Sequence, residues 1–574
     1  MSGSLARRMG VAVVMALMGA TGGAAAQTSL AGSYLAARHA AALGDVEAAA
    51  EHFSDALKRD RENPRLMELA TVNLMAAGRL AEAAIVAERL LEPAPQHRVG
   101  NLAIAAADIA AARYDAALER LTLKRETVYP LVGRLLEAWA AVGAGDREAA
   151  AAALDAVEDR PVFQLFRSFH EGLIRALEGD DAGAVDAFET ARAALDGPST
   201  RFALAHGGAL ERLGRTAEAR MVYEEANAAA LGDPAIAAAL GRLEAGEPAA
   251  LTAPNARAGA AEALFGVASV YANESGRRLA MVYAAAAQAL RPDLAEASLL
   301  LAQLFEQEGR QALALTAYEA VPTASPYRTR AAIGRAGALQ ALDRMEAAEE
   351  ALRALVATAP DSAEARVALG DLYRRTEQWE AGADAYGAAI ELLAEEGRDN
   401  WALYYQRGIC HERAGLWDLA EPDFRKALEL RPEQPLVLNY LGYSLVEQRR
   451  SLEEAKAMIE RAVELRPEDG YITDSLGWVL YRLNDFEGAV EWLERAVELA
   501  PYDPVINDHL GDAYWMVGRR LEAEFQWKRA RSLEPTETDL ERIKRKLAVG
   551  LDAVLAEEEA EAAAVAEEPR PNGG

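Results

Sequence analysis

Chemistry in this chain would have to start from one thiol, seven imidazoles and a large excess of carboxylates. Cys410 stands beside His411, a pairing that in an enzyme can activate a sulfur nucleophile. Adjacent residues of a helix point in different directions, so these two do not face each other. Cys410 reads instead as a small buried hydrophobe, and as the single cysteine it has no intrachain disulfide partner. The histidines, including His39, His52, His206 and His509, are scattered, with no pair at the spacing of metal ligands on one helical turn. The sequence holds no GxxxxGK phosphate loop, no GxSxG elbow and no HExxH helix. Carboxylate pairs abound, but on solvated helices they give solubility rather than acid–base catalysis. The expectation is no catalytic residue, no metal, no cofactor and no enzyme.

The elements that would position any site follow a period. Ala49, Ala83, Ala117, Ala150, Ala184, Ala219, Ala280, Ala314, Ala348, Gly382, Ala420, Ala455, Ala489 and Ala523 lie mostly 34 residues apart, with one step of 61 between Ala219 and Ala280. Another small residue precedes most of them by twelve positions, as in Thr71, Ala105, Gly207, Gly408, Gly477 and Gly511, and by thirteen at Gly442. A proline follows by twelve in several units: Pro95, Pro292, Pro360, Pro432, Pro467, Pro501 and Pro535. Two helices approach closely only where their side chains are small, so the paired positions mark a helix crossing. Proline ends the second helix. Gly44, Gly78, Gly145, Gly179, Gly214, Gly309, Gly415 and Gly518 fall between the two small positions and read as the turn. A period of this length marks a solenoid.

This register resembles the tetratricopeptide repeat. The match is strongest in "YLGYSLVEQRRSLEEAKAMIERAVELRPEDG", "SLGWVLYRLNDFEGAVEWLERAVELAPYDP" and "HLGDAYWMVGRRLEAEFQWKRARSLEPTET". The resemblance implies an all-α fold, a right-handed α-solenoid of about fourteen helix hairpins over residues 30–535. It also implies that the first helix of each hairpin lines a concave groove. Carried onto this chain, the groove positions are Tyr405, Asn439, Tyr443, Asp474, Trp478, Tyr481, Asp508, Asp512 and Trp515. Aromatic rings beside hydrogen-bonding groups make a peptide-binding hot spot. Trp478 and Trp515 read equally as groove or as inter-repeat core, because a repeat core also wants large rings. The lysine, asparagine and arginine set by which some of these proteins clamp chaperone tails is absent.

The C-terminal stretch "LGYSLVEQ…TDSLGWVLYRL…NDHLGDAYWMVGRR" is similar to Gram-negative envelope lipoproteins of this repeat class, some of which act as adaptors of carboxy-terminal processing proteases. That resemblance implies a protein partner, an envelope protease and its substrates. The alternative is a scaffold for envelope, exopolysaccharide or secretion machinery.

Residues 1–26 read as a signal peptide: Arg7 and Arg8, an apolar core from Met9 to Ala20, and Ala24-Ala25-Ala26 before the cut. General secretion fits better than twin-arginine export, because Met9-Gly10-Val11 does not extend the twin-arginine signal. No cysteine lies near the cut, so no covalent lipid anchor is expected. The expected location is the periplasm, with peripheral envelope association compatible. The net charge of −29 falls to about −31 without Arg7 and Arg8. Nucleic acid needs a basic face, so it is excluded as a partner. The organisation expected is an N-terminal array (27–231), a linker or degenerate repeat (232–258), a C-terminal array (259–535), a capping helix (536–555) and a disordered acidic tail (556–574).

Overall fold

The computed structural model describes residues 29–567 except 44, 124–127, 195–196, 198, 230–231, 273–275 and 396. The expected signal peptide and residues 568–574 lie outside the described residues. Among the described residues there are 31 helices and no strand. Twenty-eight of them pair into fourteen successive hairpins, from Leu30–Leu43 with Val46–Arg59 to Pro504–Met516 with Arg520–Ser532. The fold is an all-α solenoid. No helix of the described residues is long and apolar enough to cross a membrane.

The small-residue register is the crossing of each hairpin. Ala49, Ala83, Ala117 and their periodic successors are buried, as are Ala37, Thr71, Ala105 and theirs. Where the first small residue is glycine, the reason is steric. A Cβ on Gly207 would lie 2.4 Å from the Tyr223 ring, one on Gly408 2.7 Å from Phe424, and one on Gly511 2.4 Å from Trp527. In each case the ring comes from the second helix of the same hairpin. Glycine at these positions is a socket for an aromatic side chain, whose burial contributes roughly 1.5–3 kcal/mol, while Gly442 and Gly477 receive Ile459 and Leu493 in the same way.

The turn between helices is left-handed in twelve of the fourteen hairpins, the other two turns containing residues outside the described ones. Gly78, Gly145, Gly179, Gly214, Gly309, Gly415 and Gly518 have φ between +71° and +83°. In hairpins without that glycine, Ala112, Asp343, Glu377, Arg449 and Asn484 take the same conformation, φ +54° to +63°. The recurring prolines stand just beyond second helices, as Pro432 does after Trp417–Leu430 and Pro501 after Phe486–Leu499.

The chain forms two compact units, Met1–Leu355 and Val356–Gly574. This differs from the expected boundary at 232–258. That segment is not a break. It contains the helix Pro234–Ala245, which packs on the sixth hairpin. One continuous core then runs from Ala50 to Ala338. The seventh hairpin, Ala256–Val270 with Arg277–Leu290, supplies the reason. Its helices lie against the first helices of hairpins two to five, Pro64–Ala76, Arg98–Ala110, Pro130–Ala144 and Pro161–Leu177. The first unit therefore fills the inner face of its own array.

Small residues permit that insertion. Gly259 lies on Trp139, where a Cβ would approach the indole to 2.2 Å, and Gly266 lies on Phe166 at 2.9 Å. Tyr283 meets Tyr129 edge-on at 6.2 Å. Beneath them Glu262, its side chain 1% exposed, is shared by Arg201 and Arg291; the Arg291 contact is 2.9 Å. Arg201 also reaches Glu296 at 2.8 Å. Burial works against charge on Arg201, but Glu262 and Glu296 outweigh it and raise its pKa.

In the second unit two helices follow the last hairpin. Glu537–Val549 takes the place of the next first helix, and Leu551–Glu567 folds back from it. The chain remains helical to Glu567, where disorder from 556 was expected. The single capping helix expected over 536–555 is two helices broken at Gly550. Leu551 and Val554 anchor the second of them by burial in this unit.

Candidate protein-binding groove

The first helices Trp401–Arg413, Pro435–Glu447, Gly470–Arg482 and Pro504–Met516 stack side by side in the second unit. Their starts are set by capping: Asn400, Asp469 and Asp503 each accept hydrogen bonds from the first turn of the helix that follows. That register fixes which side chains line one face.

The nine residues expected there divide into three sets. Tyr405 belongs to the packing between hairpins. It is half-buried, meeting Phe424 at 6.1 Å and Tyr440 edge-on at 5.9 Å, and burial raises its phenol pKa. Asn439 and Tyr443 are half-buried, and the Asn439 Oδ1 has no hydrogen-bond partner. Burial, with Glu447 and Asp474 nearby, raises the Tyr443 pKa.

The second set is a stack. Trp478 lies between Tyr481, 4.8 Å away and nearly parallel, and His509, at 4.1 Å. The indole Nε1–H donates to Glu447 Oε1 at 2.8 Å. His509 Nδ1 lies 3.0 Å from Asp474. Burial disfavours charge on His509, yet the Asp474 carboxylate outweighs it and raises the imidazole pKa. Trp478 and Tyr481 are each 8% exposed, so they are mostly packing with one edge free. That edge borders a cavity of about 610 Å³ lined also by Arg449, Arg482, Phe486, Met516 and Leu555.

The third set is covered by the chain itself. Lys546, 0% exposed at its side chain, donates to Asp508 and Asp512 at 2.7 Å each. The Trp527 Nε1–H donates to Asp512 at 2.8 Å. Arg542 approaches Asp512 at 3.4 Å and Glu558 at 2.8 Å. Burial and the neighbouring Asp512 push Asp508 up to about 6, against the pull of Lys546. Gly550 passes over Trp515, where a Cβ would lie 2.6 Å from the ring, and Arg520 stacks on it at 3.7 Å. Expected as open groove, Asp508, Asp512 and Trp515 instead hold the C-terminal helices, because those helices lie on the last first helix.

Sequence reasoning missed His509, Glu447, Arg542 and Lys546. The spacing of Lys546 was a usable signal, since it lies one repeat period after Asp512. His509, one of seven scattered histidines, carries no such spacing signal. Cys410 is buried, and burial pushes its thiol up to about 11, so it is no ready nucleophile. Among the described residues no group of three or more His, Cys, Asp or Glu is placed to hold a metal ion.

Comparison with known proteins bears on the same hairpins. The tetratricopeptide repeat family profile matches residues 34–98, 333–393, 368–435 and 441–504. Solved structures align with this chain at low identity. The Cut9–Hcn1 complex aligns at 14% identity over 90% of this chain and 96% of that chain, with a TM-score of 0.37. A tetratricopeptide repeat protein from Parabacteroides merdae aligns at 16% over 45% of this chain and 98% of that one, TM-score 0.37. YrrB, described as having an unusual peptide-binding site, aligns at 21% over 34% of this chain and 99% of its own, TM-score 0.27. The chain carries tetratricopeptide repeats in both of its compact units.

Proposed function

We propose that this chain is a non-catalytic scaffold that binds a protein partner on the inner face of its second unit. The observation that supports this is the Trp478–Tyr481–His509 stack bordering a cavity, while the matching face of the first unit is filled by the seventh hairpin. A large, rigid ring with one free edge beside arginines is the composition of a binding hot spot. The leader residues support export to the periplasm. The C-terminal likeness to envelope adaptor lipoproteins supports a role in presenting substrates to, or activating, a carboxy-terminal processing protease.

The test is crosslinked affinity purification of the full chain from its native envelope fraction, read by mass spectrometry. Arg449→Glu serves as the groove variant, because Arg449 is exposed and its substitution spares the Trp478 packing. Recovery of a protease with wild type, and its loss with Arg449→Glu, supports the adaptor reading. Recovery of secretion or polysaccharide-assembly proteins alone supports a structural scaffold. A full-length product retained in the cytosol contradicts export.

A further inference from the structure

The helix Leu551–Glu567 stands in the second unit as a bound ligand would. It presents Leu551, Val554, Leu555 and Glu558 at helical spacing. Leu551 and Val554 are 0% and 1% exposed, and Leu555 is half-buried against the core. Glu558 accepts from Arg542 at 2.8 Å. Leu555 and Glu558 form one wall of the cavity whose floor is Trp478 and Tyr481.

The hold on this helix is short. Asp552 and Ala556 to Glu558 are exposed. Its described side chains also make ion pairs of partly exposed groups, Arg520 with Asp552, Arg545 with Glu557 and Arg542 with Glu558. Its sequence beyond Glu558 is alanine, glutamate and a single valine. The helix starts immediately after Gly550, whose φ of +85° and ψ of 159° only glycine adopts readily. A hinge, two aliphatic anchors and an unfilled cavity therefore lie together.

We infer that Leu551–Glu567 is a built-in competitor for this groove, displaced by an acidic amphipathic helix of the partner protein. The partner helix carries aliphatic residues at i, i+3 and i+4 and a carboxylate at i+7, as the resident helix does. Its charge is matched by the arginines on the cavity wall. Arg542 and Arg482 are each shared with a carboxylate of this chain, Glu558 and Glu447. Arg449 has no ion pair among the described residues and is exposed at the rim. A ligand larger than the resident helix also covers the free edge of the Trp478–Tyr481 stack. This inference rests on the groove of the second unit being the binding face.

The probe is a fluorescein-labelled peptide of residues 551–567, titrated by anisotropy against the full chain. Wild type is expected to bind weakly, because its own helix occupies the site. Leu551→Ser with Val554→Ser is expected to bind at least tenfold tighter, since the resident helix has lost its anchors. Arg542→Glu added to that variant is expected to abolish the gain, and a peptide with Glu558→Arg to restore it. Circular dichroism melts establish that each variant stays folded. Gly550→Pro, which redirects the hinge at a residue that does not line the cavity, is the second release variant should the serine pair unfold. Equal binding by wild type and a folded release variant, or no binding by either, overturns the inference. If envelope partners still depend on Arg449 in that case, the groove reading stands and only the resident competitor is wrong.

Discussion

In the first unit the side chains that would face a ligand face the chain: Trp139 lies under Gly259, and Tyr129 meets Tyr283. In the second, the Trp478–Tyr481 stack borders a cavity, and a short C-terminal helix covers only part of it. The hairpins are built alike, so the difference lies in what is laid on their first helices. Gly259, Gly266 and the alanines around them let a hairpin seat permanently. Among the described side chains of Leu551–Glu567, Leu551 and Val554 are buried and Ala556 to Glu558 are exposed. The same repeat thus yields a self-filled body and an accessible groove, according to how much apolar surface the covering element brings.

The largest effect should come from removing the charge that joins the first unit's layers. Glu262→Ala leaves Arg201 and Arg291 facing a buried vacancy and should cost about 3–5 kcal/mol. Urea unfolding followed by hydrogen exchange should place the loss in residues 64–290 and leave the Trp478 region protected. A loss spread equally over both units would break the contrast.

Acid should separate the units next. His170 is fully buried and donor to none at Nε2, and burial pushes its pKa down to about 3. His206 is held at about 4, first by burial and then by Arg192 and Arg215. Both folded values lie below the ordinary 6.5, so the stability they contribute is present at neutral pH and lost as pH falls. By pH 4 each histidine should cost about 3 kcal/mol. In the second unit the signs reverse. His509 is raised, so its contribution is present below 6.5 and fades as pH rises through the folded value. Asp508, at about 6 against an ordinary 3.8, likewise favours the folded unit on the acid side of that window. Exchange measured between pH 7 and 4 should therefore show the first unit loosening before the second. His170→Asn or His206→Gln should flatten the first unit's dependence.

Gly550→Ala puts a Cβ against Trp515 at a conformation only glycine takes readily, and should cost about 1–3 kcal/mol. The loss should be confined to the C-terminal helices, read as faster exchange over 537–567. If the whole second unit melts with it, those helices are integral rather than a cover. The smallest effect has the opposite sign. Arg449→Gly relieves a left-handed arginine and should stabilise its hairpin by about 1 kcal/mol, seen as a small rise in Tm.

Much of the fold was legible because packing in a hairpin is local. The small pairs such as Gly408 and Ala420, the turn glycines and the terminal prolines each answer a steric demand set within one period. The seating of the seventh hairpin was not legible in this way, since it depends on contacts between Gly259 and Trp139, far apart in sequence. A cue was present. The helix Ala256–Val270 has alanine and glycine on every side, as befits a helix surrounded by protein. The run "GEPAALTAPN" has the composition of an exposed loop, whereas the helix Pro234–Ala245 before it packs on the sixth hairpin. In the groove, register puts Trp478 and Tyr481 on one face, where they border the cavity. Asp508, Asp512 and Trp515 share that face but are covered, because register says which face a residue is on, and not what later chain covers it.

The most direct test of the account is hydrogen exchange on the full chain with and without its purified partner. The account predicts new protection over residues 435–516, accelerated exchange over 551–567, and no change in the helices between 64 and 177. Protection that appears on those helices of the first unit, with none over 435–516, would contradict it.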